Sequence, residues 1–91
     1  MAISWLIPVR NARPWIEACV ASALSECAVD DQVVVVDDGS SDGPEASCPD
    51  DPRITWITQP PLGIVAALER GRRACRHGLI ARLDADDVAL P

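Results

Sequence analysis

The sequence predicts an α/β protein with a Rossmann-like parallel sheet and helices on both faces of that sheet. Strand-like apolar segments alternate with helical segments along the 91 residues, and this order is typical of parallel strands joined by right-handed crossovers. In addition, residues 33–36 are four consecutive valines. Because they do not alternate with polar residues, both faces of this strand are expected to be buried, as in a central strand covered by helices.

The first strand is predicted at residues 3–9 and is followed by a helix at about 13–26. Apolar residues recur in this helix at the spacing of a single face: Ile16, Cys19, Val20, Ala23 and Leu24. Pro14 suits the first turn, where a missing N–H costs no helical hydrogen bond. The valine strand, residues 32–36, comes next.

The second connection is predicted to lack a regular helix. Turn-forming residues at 37–43 end the valine strand. Residues 44–52 then contain three prolines, which is too many for a continuous helix. A third strand is predicted at 53–58.

A second helix and a fourth strand complete the predicted order. The helix is marked by apolar or small residues at one face: Ile64, Leu68, Gly71 and Cys75. The fourth strand is predicted at 79–83 and leads directly into an acidic segment that contains Asp84, Asp86 and Asp87.

Composition excludes several classes of function. The formal net charge is −6, which argues against a nucleic-acid partner or an anionic membrane surface, since both require a basic face. All the basic side chains are arginines, so no mechanism that needs a catalytic lysine applies. The four cysteines are widely spaced and there is a single histidine, a pattern that does not fit a zinc site.

The sequence gives no sign of export or membrane insertion. Residues 3–9 are too short for a signal peptide and lack a basic leader. No apolar segment approaches the roughly 20 residues of a membrane span. We therefore expect a cytoplasmic setting with reduced cysteines and no membrane span in this chain.

Polar residues follow three of the four predicted strands. Arg10 and Asn11 follow the first, Asp37 and Asp38 the second, and the acidic segment the fourth. The carboxyl ends of parallel strands meet at one edge, and ligands bind at that edge in open α/β sheets. The sequence therefore predicts an acidic ligand site at this edge.

The Asp-x-Asp pattern of Asp84 and Asp86 has two interpretations. If the segment is extended, both carboxylates lie on one side of the chain and suit Mg²⁺ or Mn²⁺ that also binds substrate phosphates. Alternatively, the segment is a solvated acidic turn in which Arg82 pairs with the carboxylates. In the same way, Asp38 is placed to accept a hydrogen bond from a ligand, or else Asp37 or Asp38 only closes the turn.

Four segments together resemble family 2 glycosyltransferases with the glycosyltransferase-A fold. They are LIPVRNARPWIEACVASAL, VVVVDDGSSDG, DPRITWI and GIVAALERGRRACRHGLIARLDADDVALP. The resemblance implies that the chain, residues 1–91, is a single partial domain, the half that binds the sugar donor. It also implies that the acceptor site and the general base come after residue 91, so the catalytic residue is unknown and the 91 residues alone are expected not to transfer sugar.

The resemblance also assigns roles to individual residues. Pro8 and Val9 would lie under the nucleoside, and Asp38 would hydrogen-bond the base, usually uracil. Asp84 would face the ribose or the sugar, and Asp86 would hold Mn²⁺ or Mg²⁺ against the diphosphate. The implied reaction is glycosyl transfer, usually inverting, from a nucleoside-diphosphate sugar, most commonly a UDP-sugar, to a saccharide or lipid-linked acceptor.

The chain departs from the family pattern in several respects, among them its length and a second crossover at 44–52 that is shorter than usual and broken by prolines. Arg10 occupies a position where the family usually has tyrosine, so an arginine plane would replace an aromatic ring beneath the base. Leu68 and Glu69 replace an Arg-Asn pair. These departures keep open a second interpretation, a non-catalytic nucleotide-binding fragment or degenerate remnant.

A haloacid-dehalogenase-like phosphatase, with Asp84 as nucleophile and Asp86 as acid, is a more remote alternative. That motif normally follows a first strand and needs a lysine, whereas here it follows the last predicted strand and the chain has no lysine.

Overall fold

Strands and helices alternate along the chain in the predicted order. The computed structural model describes residues 2–89. Its elements are β1 (Ser4–Val9), α1 (Arg13–Glu26), β2 (Gln32–Asp38), a 3₁₀ turn (Pro44–Ser47), β3 (Ile54–Gln59), α2 (Ile64–Ala74) and β4 (Ile80–Arg82). The connection between β2 and β3 thus contains no α-helix, as predicted from its prolines.

The four strands form one parallel sheet in the order β3-β2-β1-β4. Strand β2 extends two residues further than predicted, because Asp37 and Asp38 continue the pairing with Thr58 and Gln59 of β3. By contrast, β4 pairs with only the first three residues of β1. The chain therefore leaves the sheet beside the middle of β1, and the acidic segment lies next to the carboxyl end of that strand.

The two helices cover opposite faces of the sheet. The α1 face contains Ile7, Val9, Val33 and Val35 together with the buried side of α1, while the α2 face contains Leu6, Val34, Val36 and Ala67. All four valines of β2 are fully buried, and full burial of each is worth about 1.5–3 kcal/mol. The predicted doubly covered parallel sheet is therefore confirmed.

The predicted face of α1 is correct, whereas that of α2 is wrong at its first residue. Ile16, Cys19, Val20 and Ala23 are fully buried. Ile64, however, is about half exposed, and the buried residues of α2 are Ala67 and Gly71. The first turn of α2 extends beyond the edge of the sheet, so Ile64 is left beside the carboxyl ends of the strands. None of the helices within residues 2–89 has the length and apolar character of a membrane span.

Gly71 allows α2 to approach the sheet closely. A Cβ atom at this position would lie 2.9 Å from Cγ2 of Val36 and nearer still to Cδ1 of Leu6. Both neighbours are buried core side chains, and in a close-packed core they can move only by displacing the side chains around them. The contact between α2 and the sheet therefore requires glycine here.

We predict that Gly71→Ala destabilises the protein. Overpacking of this kind costs about 1–3 kcal/mol and exceeds the gain of up to about 1 kcal/mol from better helix propensity. The free energy of unfolding, measured by urea titration, should fall. Gly78→Ala is the matched control, since a Cβ there meets nothing within 4 Å, and equal stabilities for the two variants would contradict the prediction.

Candidate functional site

The loops that follow β1 and β2 are joined by hydrogen bonds between side chains and backbone. The backbone N–H of Asn11 donates to Oγ of Ser40 (3.0 Å), and Oδ1 of Asn11 accepts from the N–H of Ser41 (2.8 Å). Asn11 has a φ of 51°, in the left-handed region that asparagine tolerates better than most residues. The two loops therefore form one unit at the carboxyl edge of the sheet.

Asp42 caps helix α1 from a distance. Its Oδ2 accepts from the backbone N–H of Arg13 (3.1 Å), and its carbonyl oxygen accepts from Nη1 of the same arginine (2.9 Å). Ala12, the residue at the cap position, offers no side-chain cap. Because the capping residue comes from the loop after β2, no local sequence pattern before α1 could predict this cap.

Asp37 closes the turn after β2, as one of the sequence interpretations held. Its Oδ1 accepts from the N–H of Ser40 at 2.9 Å. Gly39, inside this turn, has a φ of +73°, and a Cβ there would lie 2.6 Å from Cδ of Pro61. The turn thus packs directly against the loop that leads from β3 to α2.

Asp38 anchors that same loop. It is buried, and its carboxylate accepts hydrogen bonds from Nε2 of Gln59 (2.9 Å) and the backbone N–H groups of Leu62 (2.8 Å) and Gly63 (3.0 Å). These bonds, together with the positive charge of Arg10, hold the pKa of Asp38 below its usual value, against the opposing effect of burial. Asp38 is therefore an ionised structural residue.

Asp38 also lines a cavity at the carboxyl edge of the sheet. This cavity has a volume of about 190 Å³. Its lining includes Pro8, Val9, Arg10, Asp38, Gly63 and Ile64. The fold therefore brings together four residues that the sequence singled out, from β1, its following loop and β2.

A second cavity adjoins the first and contains the acidic segment. It has a volume of about 310 Å³. Its lining includes Pro8, Arg10, Asn11, Trp15, Asp84 and Asp86. Pro8, Arg10 and Ile64 line both cavities, so the two are neighbouring parts of one depression. Trp15 was not identified from the sequence, where its place at the start of α1 indicated only a helix residue.

The acidic segment is a turn and not an extended strand. The backbone N–H of Asp87 donates to the carbonyl oxygen of Asp84 at 2.9 Å. Asp84 is exposed, and its Oδ1 lies 3.4 Å from Nη2 of Arg82, a geometry that matches the interpretation as a solvated turn paired with Arg82. Asp86 is also exposed and has no ion pair within residues 2–89. The two carboxylates nevertheless line the same cavity.

Helix α1 holds the acidic turn in place. The thiol of Cys19 donates to the carbonyl oxygen of Asp84 (Sγ–O 3.3 Å), and the backbone N–H of Ala89 donates to Oγ of Ser22 (2.8 Å). Ala85, inside the turn, is buried in the core under α1. Burial, reinforced by the charge of Asp87, raises the pKa of Cys19 to about 12, so the thiol keeps the proton that it donates.

The chemistry of Asp84 and Asp86 suits a hard divalent cation. Mg²⁺ or Mn²⁺ commonly binds through one or two carboxylates and takes its remaining ligands from phosphate oxygens and water. Within residues 2–89, no group of three or more His, Cys, Asp or Glu side chains is arranged to hold a metal. Arg10 lines the same cavity and supplies a guanidinium group, which binds phosphate well.

Leu68 and Glu69, which stand where the sequence resemblance implied an Arg-Asn pair, do not lie at this edge. Leu68 packs in the core on the α2 face. Glu69 forms ion pairs with Arg72 and Arg73 on α2 itself. Neither side chain lines the two cavities.

Comparison with protein families identifies relatives of this chain. Residues 4–91 match the family described as Glycosyl transferase family 2. Chondroitin synthase of Escherichia coli is 36% identical over 93 aligned positions, which cover 98% of this chain and 14% of the relative. The uncharacterized glycosyltransferase EpsJ of Bacillus subtilis is 33% identical over 93% of this chain and 26% of its own length. The chain therefore spans about a quarter or less of these relatives.

Solved structures share the fold at low sequence identity. Mannosyltransferase PcManGT from Pyrobaculum calidifontis, in complex with GDP-Man and Mn²⁺, superposes with a TM-score of 0.84 at 21% identity. It is matched over 98% of this chain and 28% of its own. TarS 1-349 of S. aureus, in complex with UDP, gives a TM-score of 0.76 at 17% identity over 97% of this chain and 28% of its own.

We predict that Asp38→Asn destabilises the protein in a pH-dependent way. The amide keeps only one acceptor oxygen and would turn an N–H group toward backbone donors, at a cost of about 1–3 kcal/mol near neutral pH. Because the folded-state pKa of Asp38 is lowered, its stabilisation is complete above the unfolded value of about 3.9 and is lost as the pH falls through the folded value.

The difference in unfolding free energy between wild type and Asp38→Asn should therefore narrow as the pH falls below about 4. Denaturant titrations at several pH values measure it. Asp50→Asn, at an exposed carboxylate, is the control. A difference that stays constant across this range would contradict the ionised role of Asp38.

We also predict that Ser22→Ala loosens the end of the acidic turn. Loss of a hydrogen bond worth about 1 kcal/mol should make the amide of Ala89 exchange with solvent about fivefold faster. Amide hydrogen exchange followed by NMR measures this rate. Ser25→Ala, at an exposed position of the same helix, should leave it unchanged, and equal rates in the two variants would show that Ser22 does not hold the turn.

Proposed function

The chain belongs to glycosyl transferase family 2, and from this membership we propose that it binds a nucleoside-diphosphate sugar with a divalent cation for glycosyl transfer. The observation that carries the proposal is the pair of adjoining cavities, which places Asp38 on one side and Asp84 with Asp86 on the other. One elongated ligand can occupy both. Its nucleoside, diphosphate and sugar would each meet a different set of side chains.

The nucleoside end is assigned to the cavity of Asp38. A carboxylate offers about four acceptor positions, and Asp38 uses three of them within the protein. One position remains for an N–H group of a base. Pro8 and Val9 line the same cavity and give the apolar contact that a ribose or base plane needs. Of the solved structures that share the fold, one is in complex with UDP and another with GDP-Man; we propose a UDP-sugar for this chain.

The diphosphate end is assigned to the acidic turn and Arg10. Asp86 would be the main ligand of Mn²⁺ or Mg²⁺, with Asp84 beside it and Arg10 paired with a phosphate oxygen. When bound, the cation would stabilise the negative charge of the departing nucleoside diphosphate. The PcManGT complex contains Mn²⁺ with GDP-Man, which supports a divalent cation in this place.

The acceptor side of the reaction is not assigned to any residue of the two cavities. An inverting transfer requires a general base that removes a proton from the acceptor hydroxyl. Glu69 is occupied by its ion pairs on α2. We propose that residues 1–91 are the half of the domain that binds the sugar donor. The acceptor is proposed to be a saccharide or a lipid-linked molecule.

A reducing, cytoplasmic setting is proposed from the cysteines. The four cysteines are free thiols, with Cys19 buried and the others partly buried. A chain of this size that works in an oxidising compartment would be expected to pair them.

We predict that UDP binds with an affinity that rises when Mn²⁺ is added, and that Asp86→Ala removes this increase. The variant should bind UDP in the presence of Mn²⁺ at least about tenfold more weakly than wild type, and about equally without metal. Isothermal titration calorimetry with and without Mn²⁺ measures both constants, with GDP as a second nucleotide.

Asp30→Ala is the matched control, since Asp30 is an exposed carboxylate that precedes β2 at the opposite edge of the sheet. It should keep the full effect of Mn²⁺. If Asp86→Ala retains that effect as well, the cation does not bind at the acidic turn and the proposed arrangement of the sugar donor is wrong.

A further inference from the structure

Trp15 is an aromatic side chain in the cavity of the acidic turn that has no role in the function proposed above. The chain contains three tryptophans and no tyrosine or phenylalanine. Trp5 and Trp56 are partly buried and pack against the core on the α1 face. Trp15, by contrast, is 54% exposed, so it is the aromatic ring that the fold leaves open to a ligand.

The residues around Trp15 indicate that its exposed ring is available to a ligand. An isolated exposed apolar residue needs no explanation, but this indole lines one cavity with Arg10, Asn11, Asp84 and Asp86. The cavity therefore joins a flat apolar surface to a guanidinium, an amide and two carboxylates. Small-ligand sites typically combine an aromatic surface with a few placed polar groups.

A pyranose ring has the complementary chemistry. One of its faces presents C–H groups that pack on an aromatic plane, while the hydroxyl groups around its rim donate and accept hydrogen bonds. Carboxylates accept from such hydroxyls, and amide and guanidinium groups donate to them. A volume of about 310 Å³ lies at the lower end of the range for small-ligand pockets.

The position of Trp15 selects the sugar over the base. The proposed function assigns the base to the cavity of Asp38, which Trp15 does not line. It assigns the diphosphate to Asp84 and Asp86, which share their cavity with Trp15. The nucleoside and the sugar are attached to opposite ends of the diphosphate, so the group beside Trp15 is the sugar.

The backbone of Trp15 is fixed before any ligand binds. Its N–H donates to the carbonyl oxygen of Ala12 at 2.9 Å, Pro14 precedes it, and Asp42 ties the first residue of the helix to the neighbouring loop. A residue whose backbone is already ordered pays no further backbone entropy when its side chain contacts a ligand, which favours binding.

We propose that Trp15 stacks against the pyranose ring of the donor sugar and helps to select it, an inference that rests on the proposed function. Trp15 would then supply the aromatic surface at the sugar, while Arg10 lies between the two cavities. The affinity for a nucleotide sugar should depend on Trp15, and the affinity for the nucleoside diphosphate alone should not.

The test compares Trp15→Ala and Trp15→Phe with wild type by calorimetry in the presence of Mn²⁺. The probes are UDP, UDP-glucose, UDP-N-acetylglucosamine, GDP and GDP-mannose. For the nucleotide sugar that wild type binds best, Trp15→Ala should weaken binding by about tenfold, and Trp15→Phe should recover part of the loss. Binding of the parent diphosphate should change less than about twofold in either variant.

Val29→Ala is the control, because Val29 is an exposed apolar side chain, 87% exposed, that does not line either cavity. It should leave all affinities unchanged. Tryptophan emission gives an independent readout. The nucleotide sugar should change the emission of wild type more than the diphosphate does, and Trp15→Phe should abolish this extra change. Thermal unfolding of each variant establishes that it is folded.

The outcomes separate the inference from the function on which it rests. Equal losses for the sugar nucleotide and its diphosphate in Trp15→Ala would overturn the stacking role and leave the proposed function intact. If Trp15→Ala leaves the affinities for the sugar nucleotide and for its diphosphate unchanged, the stacking role is likewise overturned and the proposed function stands. If wild type binds none of the five nucleotides with Mn²⁺, both the proposed function and the role of Trp15 are refuted.

Discussion

The burial of β2 on both faces is the constraint on which the rest of the structure depends. Its four valines have no exposed surface, so both faces of the sheet must be covered, by α1 on one side and by α2 on the other. β1 and β3 flank β2, and both run parallel to it. Because β1, β2 and β4 all end at one edge, side chains that are far apart in sequence meet there, and both cavities exist only as a result of that common direction.

The carboxyl edge is held by side chains that bond to backbone groups of other segments. Asn11 and Asp42 join the loops after β1 and β2, Asp38 fixes the approach to α2, and Cys19 holds the acidic turn. Each of these bonds satisfies a backbone group that no helix or strand satisfies. The loops at the edge therefore have defined positions without regular secondary structure.

The fold could be predicted because the sequence patterns that indicate strands, helices and turns are local and recur along the chain. The valine run identified β2, one helical face identified α1, and three prolines identified the irregular connection. The details of the site depend on single contacts over long separations, such as Cys19 with Asp84 or Arg13 with Asp42, and no periodic pattern encodes these. Ile64 shows the limit of periodicity: it continues the apolar face of α2, yet the helix starts beyond the edge of the sheet and leaves Ile64 beside the cavities.

The position of Asp38 between a loop and a cavity links two equilibria. The carboxylate of Asp38, which lines a cavity at the carboxyl edge, also accepts hydrogen bonds from the backbone N–H groups of Leu62 and Gly63, the last residues before α2. Any ligand group that donates a hydrogen bond to Asp38 competes with those N–H groups for the negative charge of the carboxylate and weakens the interaction that orders the loop. The free energy of ligand binding and the free energy of loop ordering are then coupled through Asp38. A substitution in the loop that does not contact the ligand therefore still changes the affinity for the ligand.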